Sequence, residues 1–271
     1  MKKGKVFVVA LALLALVAGT AQAEMYVEGY IGGNFAASDS SKIATGLNLF
    51  PVTFNSGNVN GNIDPAFLGG IKIGAWFDQS GVLSGINFPT WMKYMGFFLD
   101  FQYHRVDFAQ RGGSRTASFL GVPFLTSTFK AKSEGAAATM AFMFAFRYGF
   151  LKDKEVPFGR LQPYIAIGPA IMFTWQQPTF TVENFYGPGA DLAFNPDSTH
   201  SNNVALQLEG GLRWMCLRNV SVDLSFKWRK VHGVYDYTSS IPFIFGGIPV
   251  KAQQSRDFNF FSVNLGAAYH F

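Results

Sequence analysis

The feature that most limits how this chain can fold is a period of two. Segments of roughly ten residues alternate apolar and polar side chains, the pattern of a strand with two unlike faces. Val204–Trp214 places Val204, Leu206, Leu208, Leu212 and Trp214 on one face and Gln207, Glu209, Gly211 and Arg213 on the other. Val220–Trp228 sets Val220, Val222, Leu224, Phe226 and Trp228 against Ser221, Asp223, Ser225 and Lys227. The last segment sets Phe261, Val263, Leu265, Ala267, Tyr269 and Phe271 against Ser262, Asn264, Gly266 and His270. Five further segments carry the same rhythm: Met25–Phe35, Phe67–Phe77, Phe97–His104, Met140–Tyr148 and Gln162–Trp175. In the fifth of these, Pro169 cannot donate to a ladder, which weakens the strand signal there or marks a bulge. The count predicts an all-β chain of eight strands.

Residues 1–23 stand apart. Lys2, Lys3 and Lys5 precede the apolar run Val6–Ala18, and Ala21-Gln22-Ala23 has the small-x-small form of a signal-peptidase site. The run falls short of the ~20 residues of a spanning helix. We therefore expect a cleaved export signal over 1–23 and one domain over 24–271. Loss of the leader lowers Lys+Arg from 22 to 19 against 17 Asp+Glu, so the mature charge is +2. With no Lys/Arg stripe, nucleic acid is not an expected partner. The single cysteine, Cys216, excludes an internal disulfide and a cysteine-based zinc site.

Composition decides which face points where. Charged residues make up 14% of the chain, against about 25% in ordinary soluble domains, while 49% is hydrophobic and Phe alone occurs 30 times. The apolar faces carry no charge. The polar faces are rich in Gly, Ala and Ser and hold Glu28, Asp100, Glu209 and Asp223 with Lys72, Arg147, Arg213, Lys227 and Arg229. Small residues and nearly balanced ions suit the interior of a narrow barrel, with the apolar face in lipid. In hydrocarbon an open sheet edge is not allowed, so the sheet must close. A lipocalin-like soluble barrel, apolar face inward, is the rival. Trp175, Trp214, Trp228, Tyr148 and Tyr269 near segment ends favour interfacial girdles and the membrane. His104, four residues from Asp100 on the same face, is expected to pair with it within the lumen network.

The connections are expected to alternate: long at 36–66, 109–135, 176–203 and 238–257, a tight turn at Leu217-Arg218-Asn219 and an intermediate one at 149–161. The connection 78–94 is longer than a short-turn side requires. Both chain ends would then lie on the periplasmic side.

The export signal, the opening Tyr26-Val27-Glu28-Gly29-Tyr30-Ile31-Gly32-Gly33-Asn34, Leu161-Gln162-Pro163-Tyr164 to Gly168-Pro169, and the ending Gly266-Ala267-Ala268-Tyr269-His270-Phe271 resemble the eight-stranded outer-membrane β-barrel family, the OmpA/OmpX-like group of Gram-negative bacteria. The resemblance implies a transmembrane antiparallel up-and-down barrel without a periplasmic C-terminal domain. It also implies an assembly signal in Tyr269 and Phe271 read by the barrel-assembly machinery, outer-membrane lipids as surroundings, and a monomer.

No motif assigns a chemistry. Lipid A deacylases resemble this fold and use a His and a Ser two residues apart. Here Ser198-Thr199-His200 has that spacing in reverse order, in a polar connection. Gly112-Gly113 and Gly246-Gly247 lack the Lys-Ser/Thr of a phosphate loop, and Asp191 to Asp197 lacks the carboxylates of an EF-hand. We expect no cofactor, no metal site and no enzyme. The expected role is structural or surface-interacting, with a closed, ion-paired lumen; a transporter of apolar solutes and a lipid-modifying enzyme are the alternatives. Three connections are unexpectedly apolar, at 47–52, 119–125 and 241–250; strands that extend beyond the bilayer and pack their tips together are expected there, with a hydrophobic ligand port or an adhesive surface as the functional alternative.

Overall fold

The computed structural model describes residues 24–37, 46–49, 52–56, 63–77, 89–120, 122–183, 189, 191–195, 197–243 and 246–271. The expected signal, 1–23, lies outside the described residues.

Twelve strands form one sheet: β1 Glu24–Ala37, β2 Gly46–Leu49, β3 Val52–Ser56, β4 Ala66–Trp76, β5 Met95–Arg105, β6 Phe108–Phe119, β7 Val122–Arg147, β8 Leu161–Val182, β9 Leu192–Phe194, β10 Thr199–Leu217, β11 Val220–Phe243 and β12 Gly246–His270. Eight of them close on themselves in the order β1-β4-β5-β7-β8-β10-β11-β12, and β12 pairs back to β1 from Tyr26↔His270 to Ala37↔Asn259. Every pairing is antiparallel. These eight are the alternating segments of the sequence. A one-residue slip would exchange every ion and apolar side chain between faces, so the pattern also fixes the register.

The faces divide as the alternation predicts. Val27, Ile31, Ile71, Phe101, Phe142, Phe144, Phe146, Ile167, Phe173, Leu224, Phe226 and Leu265 are exposed on the outer wall. Exposed tyrosines and tryptophans sit at two levels of that wall. Tyr148 and Tyr269 lie at the end where β1 begins and β12 finishes, the terminal end of the barrel. At the other level Tyr103 packs on Trp175, their ring centres 6.0 Å apart. Tyr103 is opposite Ala138 on β7. Ten residues separate that position from Tyr148; at about 3.3 Å per residue and a tilt near 40° they span about 25 Å, the height of an outer-membrane apolar band.

Pro169 causes no bulge. It sits in regular register opposite Leu206 on the outer wall. Register shifts occur instead at Phe108/Arg111, Ala117/Ser118 and Met215/Leu217. The described residues of the long connections are also mostly strand rather than loop. β7 has 26 residues, β8 22, β11 24 and β12 25, more than twice what a membrane-spanning strand needs. They continue as ribbons past the Tyr103–Trp175 level because hairpin hydrogen bonding holds them without a lipid-facing side. Each apolar connection falls at a hairpin tip: Leu49↔Val52 joins β2 to β3, Phe119↔Val122 joins β6 to β7, and Phe243↔Gly246 joins β11 to β12. Phe50, Pro51, Gly121, Ile244 and Phe245 of these segments lie outside the described residues.

Candidate functional site: the ionic lattice of the lumen

Cross-strand register brings opposite charges face to face, the arrangement that stabilises a sheet pair. Lys72 on β4 lies between Glu28 on β1 and Asp100 on β5. On β10 and β11, Glu209 is opposite Lys227 and Arg213 opposite Asp223. All point into the lumen, and all are buried.

Closure then adds bonds across the barrel. The Lys72 ammonium donates to Glu28 and to Glu209, each at 2.7 Å, and Asp223 is 3.9 Å away. Arg213 donates to Glu28 at 2.7 Å, with Asp223 at 3.5 Å. Lys227 reaches across to Asp100 at 2.6 Å and lies 3.8 Å from Glu209. Three tyrosines bind into this lattice. Tyr30 donates to Asp100, Tyr164 contacts Glu209 at 2.7 Å and Asp223 at 2.8 Å, and Tyr26 stacks under the Arg213 guanidinium at 4.4 Å. Glycines make room for the rings. A Cβ at Gly70 would meet the Tyr30 hydroxyl at 2.3 Å, and one at Gly211 would meet the Tyr164 ring at 2.5 Å.

At the terminal end Arg147 pairs with Glu24 and Gln162, and its guanidinium is sandwiched between Trp76 at 4.3 Å and Phe158 at 4.2 Å. Glu24 was not singled out in the sequence. With it, the described residues of the lumen include five carboxylates (Glu24, Glu28, Asp100, Glu209, Asp223) and five fixed cations (Lys72, Arg147, Arg213, Lys227, Arg229).

One sequence expectation is corrected. His104 does not pair with Asp100. Its Nδ1 lies 3.0 Å from the Arg105 carbonyl and 3.4 Å from Asn34, and its ring packs on Phe260 at 5.4 Å. Residues four apart on a strand share a face but are displaced along it, and Asp100 is taken by partners at its own height: Tyr30, Gln207 and Lys227. Arg229 has no carboxylate partner among the described residues. It donates to Gln207 at 3.1 Å, Thr139 at 3.1 Å and Gln102 at 2.7 Å, so it sits in a neutral cradle above the ion pairs. The tyrosines and glutamines escaped the sequence reading because they carry no charge; their inward parity was the available signal. Phe98, Phe258 and Phe260 are likewise buried inside.

Ser198 and His200 are exposed on the outer wall, and His200 stands opposite Trp175. A second serine and histidine do meet: Ser221 Oγ lies 2.9 Å from His270 Nε2, and His270 Nδ1 lies 3.4 Å from Glu24. Ser221 is fully buried and Tyr26 stacks on the His270 ring at 5.7 Å, so no substrate carbonyl can approach this hydroxyl in the structure. The group ties the first and last strands together at the chain ends.

Solved structures with a similar course are Neisserial surface protein A (11% identity, TM-score 0.33, 91% of this chain and 97% of that one), the outer-membrane protease OmpT from Escherichia coli (12%, 0.34, 93% and 96%) and a Pseudomonas aeruginosa FadL homologue (6%, 0.19, 93% and 90%). No protein-family model and no curated protein sequence matches the chain. Likenesses at these scores carry no weight beside the strand pairing itself. By that pairing the chain is a closed, eight-stranded antiparallel β-barrel, the architecture of the outer-membrane group that its sequence resembles.

Proposed function

We propose that this protein is a non-enzymatic, exported outer-membrane barrel with a sealed lumen, which carries β-ribbons beyond the bilayer to engage a surface. One observation carries the reading: Lys72 and Lys227 bind carboxylates on strands across the lumen, so the bonds that balance the charges also bar the passage. A pore would line its walls with ions facing water; here the ions face one another and are buried. Tyr269 and Phe271 on the exposed face of the last strand suit recognition by the barrel-assembly machinery during insertion.

The ribbons supply the second part of the role. Their last described pairs, Leu49↔Val52, Phe119↔Val122 and Phe243↔Gly246, belong to the apolar segments 47–52, 119–125 and 241–250 and lie away from the start of β1 and the end of β12. At one tip Leu120 adopts φ 50°, a conformation costly to leucine, and both Leu120 and Val122 are 66% exposed. An exposed apolar tip held at the cost of strain suits contact with an apolar partner surface.

Planar-bilayer recording tests the sealed lumen. The full chain should insert without stable conductance, and a large, long-lived open channel would refute the plug.

A further inference from the structure

The rim at the terminal end carries a patch unlike the rest of the wall. A 3-10 helix, Thr90–Tyr94, and the β7–β8 turn meet there through the stacked rings of Tyr94 and Tyr148, 5.7 Å apart. Phe150 adds its ring edge to Tyr148 at 4.9 Å. Trp91, Tyr148, Phe150 and Leu151 are all exposed. Leu151 is 62% exposed and held at φ 55°, where glycine would be unstrained. The turn therefore accepts strain while presenting a large apolar side chain.

Lys93, Lys152 and Lys154 lie in these two segments, and none has a carboxylate partner among the described residues. The acids of the turn are already taken. Arg160 binds both Asp153 and Glu155, and the Val156 N–H, followed by Arg160, holds the Asp153 carboxyl below its usual range. On the ribbon side the reverse holds, for Arg105, Lys130 and Lys132 pair with Asp107, Glu183 and Glu134. Among the described residues, segments 90–94 and 148–160 thus carry an excess of positive charge (Lys93, Lys152, Lys154 and Arg160 against Asp153 and Glu155) beside exposed aromatics.

We propose that residues 90–94 and 148–154 form a docking surface for an anionic glycerophospholipid. Trp91, Tyr148, Phe150 and Leu151 enter the acyl boundary, where amphipathic rings and apolar side chains are favoured. Lys93, Lys152 and Lys154 face the headgroup phosphate, each adding attraction to an anionic surface. The inference rests on the outer-membrane reading for its orientation, with this rim in the periplasmic leaflet.

The test uses the full folded chain in neutral detergent, titrated with short-chain phosphatidylglycerol or phosphatidylcholine of equal acyl length, with bound lipid counted by native mass spectrometry. Phosphatidylglycerol should bind about tenfold tighter or more. The K93Q/K152Q/K154Q triple variant should lose that preference, and K130Q/K132Q should keep it. Equal binding of both lipids by the wild type, or a preference that survives the triple substitution, would overturn the proposal. A heat-shifted gel band confirms the closed barrel in each sample. A silent barrel without lipid preference sinks this inference alone, and a conducting barrel with the preference sinks only the sealed-lumen reading.

Discussion

Lys72→Met is expected to destabilise the folded barrel by about 3–5 kcal/mol, the range for removing one partner from a buried ionic cluster. The ammonium is the point at which Glu28, Glu209 and Asp223 converge. Arg213 and Lys227 remain near, but neither can take the same position between β1 and β10. Most of the loss comes from carboxylates left in a closed interior without a counter-charge, rather than from the missing attraction itself. Glu209→Gln in the same chain should therefore cost less than it does alone, a coupling that a double-mutant cycle reads directly. Urea unfolding in lipid vesicles measures both. A Lys72→Met chain as stable as the wild type would mean that the lattice does not hold the barrel together.

Phe144→Arg separates a lipid-facing wall from a water-facing one. Phe144 is half exposed on the outer face of β7, midway between the two aromatic levels. In lipid an arginine there is expected to cost about 2–4 kcal/mol, falling to about 0–1 near the interface, so Tyr148→Arg is the control. In a soluble barrel the same substitution would replace an exposed ring by a charge and change stability by roughly 0.5 kcal/mol or less. The two outcomes do not overlap.

The barrel was legible in the sequence because lipid and lumen impose opposite demands on alternate residues. Leu224 and Ser225, or Phe144 and Ala145, declare their sides by chemistry alone, and once one strand is oriented the ions of all eight fall inward. The partnerships inside were less legible. Tyr30 meets Asp100, and Lys227 reaches the same carboxylate, only because closure brings β1, β5 and β11 around one axis. Strand sequence gives the face and not the height at which opposite walls meet, which is why His104 was matched to the wrong neighbour. Beyond the bilayer the signal fails for a different reason. Strands β6 and the first half of β7 pair with each other beyond the wall, where no lipid face forces their side chains to alternate. Gly112, Gly113 and the run of Ser and Thr then read as loop, although backbone pairing makes them strand.

The claim underlying everything above is that β11 has lipid on one side and a packed, dry lumen on the other. Nitroxide labels at single cysteines, introduced one at a time in a Cys216→Ser chain reconstituted in vesicles, test it at Val222, Leu224 and Phe226 against Ser221 and Ser225. Oxygen, which concentrates in lipid, should broaden the labels at 222, 224 and 226, and neither oxygen nor a water-soluble nickel chelate should reach 221 and 225. Strong collision with the nickel chelate at 222, 224 and 226 would place that face in water, and strong collision at 221 and 225 would open the lumen; either result contradicts the account.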